Sequence, residues 1–149
     1  LGWNYRMTNL QAALGLAQLE QLEVFVNRKR KMGGLYNALL GDIAGIHLPL
    51  IKTDYAENIY WVYGIVIDKD LSRYAKKVMK ELGSDGIGTR PFFYPMHLQP
   101  VLKREGLFMG ESYPVAENLY ERGFYIPSGM TLSSDQIDTI SKVLHKVFN

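Results

Sequence analysis

Cysteine is missing from all 149 residues, and with it go any disulfide framework, thiolate nucleophile or cysteine-ligated metal. A reducing compartment is compatible with this, and the expected location is the cytoplasm. Net charge is nearly missing too: 17 Lys and Arg stand against 15 Asp and Glu, a formal +2. So small an excess gives no electrostatic footprint for nucleic acid. The one basic stretch, Arg28 to Lys31, reads as the solvated face of a helix. No apolar run approaches the ~20 residues of a membrane span, and the opening residues show no signal-peptide pattern.

Complete catalytic machinery is also missing. Gly83, Gly86 and Gly88 have a suggestive spacing, but they follow a helical pattern instead of leading from a strand into a helix. No serine lies in a nucleophile elbow, and no paired carboxylates flank an evident cleft. The lysines at 29, 31, 69, 76, 77, 80, 103, 142 and 146 all fall in polar helix or turn patterns. None reads as the desolvated lysine that Schiff-base chemistry needs. His47 and His145 have no partner at a recognisable ligand spacing, and His145 reads as exposed among lysines. The sequence therefore assigns no catalytic residue and no metal site.

What is present is an ordinary globular composition, 47% hydrophobic and 21% charged, in a chain long enough to bury a sizeable core. Thr8 and Gln11 have the spacing of a capping box. Beyond them Leu10, Leu14, Ala17, Leu22 and Phe25 recur at helical spacing, and the helix is expected to run to about Gly41. Gly33-Gly34 is the expected kink or break. Ala12, Ala13, Gly15 and Ala17 would let another body approach closely. Strands are expected at 46–49, 60–67, 86–90 and 124–126. Helices are expected up to Leu82, with Tyr74, Val78 and Leu82 on one face, then over 113–122, and from a second capping box at Ser133 and Gln136. An irregular aromatic loop, Phe92 to Pro100, and a short helical or turn region around Leu102 to Phe108 lie between. The order describes a small α/β domain hung from a long helix.

Four residues invite a chemical reading. Asn4 and Arg6 stand two apart, so an extended backbone projects both to one side, close to a helix N-terminus. A carboxamide, a guanidinium and free N–H groups together suit phosphate or carboxylate, although capping and surface roles explain the same residues. Arg90 precedes Pro91 at a strand end, where it meets either an anion or a surface carboxylate. His97 lies in the Phe92-Phe93-Tyr94-Pro95-Met96-His97 loop, as a pocket wall or as a structural histidine. The chain opens with no element complete before Asn4, so it is expected to be a segment of a larger enzyme.

The runs Gly2-Trp3-Asn4-Tyr5-Arg6-Met7-Thr8-Asn9-Leu10-Gln11-Ala12-Ala13 and Gly15-Leu16-Ala17-Gln18-Leu19-Glu20 resemble the DegT/DnrJ/EryC1/StrS sugar aminotransferases. Gly88-Thr89-Arg90-Pro91, Tyr94-Pro95-Met96-His97-Leu98-Gln99-Pro100, Ala116 to Ile126 and Pro127-Ser128-Gly129-Met130-Thr131-Leu132 agree in order and spacing. Within the family the similarity is to enzymes that make perosamine or a related aminodeoxy sugar, as found in polysaccharides such as O-antigen. The resemblance implies the fold of the aspartate aminotransferase superfamily. Residues 1–41 would be the cofactor-site segment and interdomain helix, and 42–149 the small C-terminal α/β domain. A large domain upstream would carry the lysine that holds pyridoxal 5'-phosphate.

By the same resemblance, Asn4 matches an asparagine that reaches the cofactor phosphate across a homodimer interface. Arg6 matches an arginine meeting that phosphate or the amino donor's carboxylate. Arg90 and His97, with Tyr94 beside them, match positions bordering the substrate entrance. The implied substrates are a nucleotide-linked keto sugar and glutamate. A non-catalytic interaction or regulatory domain and an aminotransferase-fold sugar dehydratase remain alternatives.

Overall fold

A computed structural model describes residues 2–148. Thr8 is extended (φ −75°, ψ 159°), its hydroxyl accepts from the Gln11 N–H, and the Gln11 side chain accepts from the Thr8 N–H at 2.9 Å. This reciprocal cap opens α1, Asn9–Glu20, and α2 follows as Leu22–Leu40. The break between them falls at Gln21 and not at Gly33-Gly34. Gln21 leaves helical geometry (φ −102°, ψ 2°), and its N–H reaches back to the Gln18 carbonyl at 3.2 Å. Gly33 stays helical because it serves packing: Tyr60 lies so close that a β-carbon there would stand 2.4 Å from the ring.

The strands are β1 (Ile46–His47), β2 (Tyr63–Ile67), β3 (Arg90–Pro91) and β4 (Gly123–Ile126). They form one sheet in the order β1-β2-β4-β3, with every neighbouring pair antiparallel. Register pairs Tyr63 with Ile126, Ile65 with Phe124, and Arg90 with Tyr125. Three strands are shorter than expected, β1 stopping at His47 instead of Pro49. β2 begins at Tyr63 because Tyr60 adopts a positive φ of 52°, which extended pairing does not tolerate. Of 86–90 only Arg90 pairs, for Gly86 turns at φ 80°.

Helices α3 (Ala75–Ser84), α4 (Pro100–Arg104), α5 (Pro114–Arg122) and α6 (Ser134–Phe148) complete the fold, with a single 3-10 turn at Met96–Leu98. The expected Ser133–Gln136 box is present, with hydrogen bonds of 2.9 and 3.2 Å. Tyr63, Ile65 and Ile67 alternate into the core, where they join Tyr36 and Leu40 of α2, Val78 and Leu82 of α3, and Leu144 of α6. Each fully buried side chain of this size contributes about 1.5–3 kcal/mol of transfer free energy. Tyr74 departs from its expected place on that face. It precedes α3 as its N-cap, is 52% exposed, and leaves Ala75 to fill the core position.

On the opposite sheet face Phe92 covers two glycines. A β-carbon would stand 2.9 Å from its ring at Gly64 and 2.4 Å at Gly123. The ring stacks on Tyr125 at 4.5 Å, which holds the start of the aromatic loop against β4. α1 differs from every other long helix in burying none of its residues.

Candidate cofactor and substrate site

Residues 2–8, ahead of α1, are exposed and without regular structure. The Asn4 side-chain oxygen accepts from the Arg6 backbone N–H at 3.1 Å and from Arg6 Nε at 3.4 Å. A local turn, in place of the extended stretch expected from the sequence, brings the two side chains together. With the carboxamide oxygen turned inward, the Asn4 amide donors and the rest of the guanidinium fork remain for an external acceptor. A phosphate or carboxylate fits that donor set.

Arg90 lies on β3 beside a cleft of about 670 Å³. Val62, Gly88, Thr89, Tyr125 and the Pro127–Ser128 corner form the remaining walls. None of the ion pairs among the described residues involves Arg90, so the surface salt bridge weighed from sequence is not made.

Tyr94 and His97 stand elsewhere. Tyr94 meets Tyr120 edge-on at 4.9 Å. His97 is only 4% exposed, lies 4.9 Å from the Tyr113 ring, and its Nε2 is 2.8 Å from a Glu117 oxygen. That carboxylate also accepts from the Tyr113 N–H at 2.9 Å. The Tyr113 backbone bond, and then His97, hold the Glu117 carboxyl below its ordinary range. Neither Tyr94 nor His97 lines the Arg90 cleft. Together they fix the loop that leads away from it.

Two participants escaped the sequence reading. Glu117 lies 20 residues from His97, a separation at which spacing carries no information. Its only local signal was an acid in the first turn of a helix. Lys29 belongs to a run that reads as a solvated basic face, yet only Arg28 and Lys31 there are exposed. The Lys29 ammonium donates to the Trp61 carbonyl at 3.0 Å and to the Ser128 carbonyl, and burial lowers its pKa. Its methylene stem hid this, because a lysine crossing apolar surface looks polar in sequence.

The other histidines also have neighbours. His145 is half-buried, not exposed, with Nε2 2.9 Å from the Leu39 carbonyl and 3.5 Å from Asp42. His47 lies 3.7 Å from Asp68. Among the described residues no three metal-ligating side chains converge, and no helix is long and apolar enough to cross a membrane.

Residues 1–145 match the DegT/DnrJ/EryC1/StrS aminotransferase family, a span that runs through Asn4, Arg6, Arg90 and His97. The chain belongs to that family. It is 32% identical over 149 residues to the GDP-perosamine synthase of Escherichia coli O157:H7, covering 100% of this chain and 38% of that protein. The chain thus spans less than half the length of this curated relative.

Among solved structures of the family's fold, the Helicobacter pylori aminotransferase PseC, involved in pseudoaminic acid biosynthesis, superposes with a TM-score of 0.86. The identity is 21%, over 99% of this chain and 39% of that one. A Streptococcus pneumoniae protein described as a sugar aminotransferase, in its PMP form, superposes with a TM-score of 0.83. There the identity is 24%, over 95% and 35% of the two chains. The α/β fold read from the sequence is therefore that of pyridoxal-phosphate sugar aminotransferases.

Proposed function

We propose that these residues are the small-domain portion of a pyridoxal-phosphate aminotransferase that turns a nucleotide-linked keto sugar into an amino sugar. Glutamate is the amino donor, the working unit is a homodimer, and the reaction takes place in the cytoplasm. The observation that carries this reading is the family match through residues 1–145. Within it Arg6 and Arg90 both offer exposed guanidinium groups.

When bound, pyridoxal phosphate supplies the electron sink that lets an amino acid lose its α-proton. This chain's residues bind and orient. Asn4 and Arg6 hold the cofactor phosphate or the donor carboxylate in the neighbouring subunit's site, and the Arg6 fork fixes direction as well as charge. Arg90 meets an anionic group of the substrate at the cleft. Tyr94 and His97, braced by Tyr120 and Glu117, hold the loop that borders the substrate entrance without lining the Arg90 cleft. Proton transfer belongs to the lysine of a large domain outside these residues.

The test is an aminotransfer assay on the protein containing that large domain. Glutamate is supplied with a panel of nucleotide-linked 4-keto sugars, beginning with a GDP-linked one. Stoichiometric 2-oxoglutarate and an amino sugar are expected, while the 149-residue chain alone gives neither. A deoxygenated sugar formed without nitrogen transfer would replace this reading with the dehydratase. Binding without any conversion would replace it with the interaction domain.

A further inference from the structure

Lys29 acts at a distance from any ligand. Its ammonium joins the carbonyls of two neighbouring segments, Trp61 and Ser128, that adjoin the Arg90 cleft. Trp61 immediately precedes Val62, which lines the cleft where the chain enters β2, and Ser128 itself lines it where the chain leaves β4. Tyr36, two turns along the same helix, donates to the adjoining Pro127 carbonyl at 2.8 Å. Helix α2 therefore grips two consecutive carbonyls, Pro127 and Ser128, and ties them to the adjacent Trp61 segment through a single cation.

We infer that Lys29 is a positioning residue for the anion site at Arg90, setting the separation of the Val62 and Pro127–Ser128 segments that line the cleft together with Arg90. This rests on the reading of Arg90 as a substrate-anion contact. The physical argument is geometric. β2 and β4 are held to each other by ladder bonds from Tyr63↔Ile126 to Val66↔Gly123, and this pairing ends before Trp61 and Ser128. Beyond the last pair the two chains are free to splay, and their carbonyls lack ladder partners of their own. An ammonium between them supplies charge-assisted bonds to both, and each such bond constrains a wall more tightly than a neutral one.

Lys29 is half-buried and lines a mostly apolar cavity with Phe25, Val26 and Trp61, so the cation reaches the carbonyls from a partly water-excluded side. A neutral side chain of the same length would keep this packing and lose the tie. An arginine would keep the charge and present two N–H directions to two acceptors. The role is thus separable from the bulk of the side chain.

The experiment follows binding of inorganic phosphate to the 149-residue chain, using the Arg90 Nε–H resonance and the backbone amides of Val62 and Ser128. Melting temperature is recorded for each variant. Wild type is expected to bind saturably and Arg90→Gln to lose binding. Lys29→Met should bind roughly tenfold more weakly, the size expected for loss of charge-assisted bonds, with displaced Val62 and Ser128 amides. Lys29→Arg should recover most of the affinity. Val78→Ala, a core truncation with no cleft contact, serves as the stability control: it should lower the melting temperature and leave phosphate affinity as in wild type.

Wild-type affinity in Lys29→Met, with Arg90→Gln inactive, would overturn the positioning role and leave the anion site standing. Equal loss of affinity in Val78→Ala and Lys29→Met would also overturn it, by reducing the effect to stability. Absence of saturable, Arg90-dependent binding in wild type would overturn the anion-site reading and the inference with it.

Discussion

The ring of Tyr60 lies directly over Gly33, so close that a β-carbon on the glycine would stand 2.4 Å from it. Tyr60 is held there by its own unusual backbone and by a hydrogen bond from Asn37 Nδ2 to its hydroxyl at 2.9 Å. Its N–H is fixed by the Asn58 side chain at 2.7 Å. The glycine next door, Gly34, faces open space.

Two neighbouring alanine substitutions should therefore act with opposite signs. Gly34→Ala gains helix propensity and should stabilise by about 0.5–1 kcal/mol. Gly33→Ala gains the same propensity but drives a methyl into a ring that cannot retreat, and overpacking costs about 1–3 kcal/mol. Thermal denaturation should show a small rise in Tm for the first and a fall for the second. Two rises would show that Tyr60 does not constrain α2.

The same pair marks the limit of what the sequence revealed. A Gly-Gly step in a helical pattern reads locally as a weak point, and the residue that explains Gly33 is 27 positions away. The helical break occurs instead at Gln21, where no glycine or proline marks it. Local signals served well where the physics is local. Both Ser/Thr–x–x–Gln boxes cap their helices, and the aromatic and β-branched run at Tyr63–Ile67 forms a strand. Asn4 and Arg6 lie together, though through a turn and not through the extended backbone expected. The His97–Glu117 pair and the Lys29 tie join segments remote in sequence, and no spacing rule reaches them.

The His97–Glu117 pair should leave a mark on acid stability. The Glu117 carboxyl is held below its ordinary value of 4.5 in the folded chain. A carboxyl with a depressed folded pKa contributes stability that is present above its unfolded pKa and is lost as pH falls through the folded one. The difference in melting temperature between wild type and Glu117→Gln should thus be widest above pH 4.5 and shrink below it. Parallel curves across that window would remove Glu117 as the source.

Helix α1 should govern association. Leu10 is 75% exposed and Leu14 65%, and Leu16 and Leu19 are exposed on the other side of the helix. Phe25, on α2, is half-buried and contributes less to this surface than its helical spacing suggested. An apolar face of this kind favours self-association. Sedimentation velocity should show concentration-dependent dimers of the chain, weakened by Leu10→Gln with Leu14→Gln. A strict monomer at every concentration would contradict this.

Anion-binding geometry makes Arg6 sensitive to a change that keeps its charge. Lysine offers a point charge where the guanidinium offers a planar fork, so Arg6→Lys should reduce aminotransfer by roughly tenfold or more. Asn4→Ala should have the smaller effect, since it removes a neutral donor. Steady-state kinetics with glutamate would show both. Full activity in Arg6→Lys would mean that only charge is required there.

The central claim is that Asn4 and Arg6 complete the site of a neighbouring subunit, and subunit complementation tests it most directly. In the protein containing the large domain, Arg6→Lys is mixed with a variant lacking the cofactor lysine, and the subunits are exchanged. Each mixed dimer then holds one site with both groups intact, so random exchange should restore about a quarter of the wild-type sites. Activity near that level is the predicted result. No recovery, with mixed dimers demonstrated by mass, would contradict the shared site.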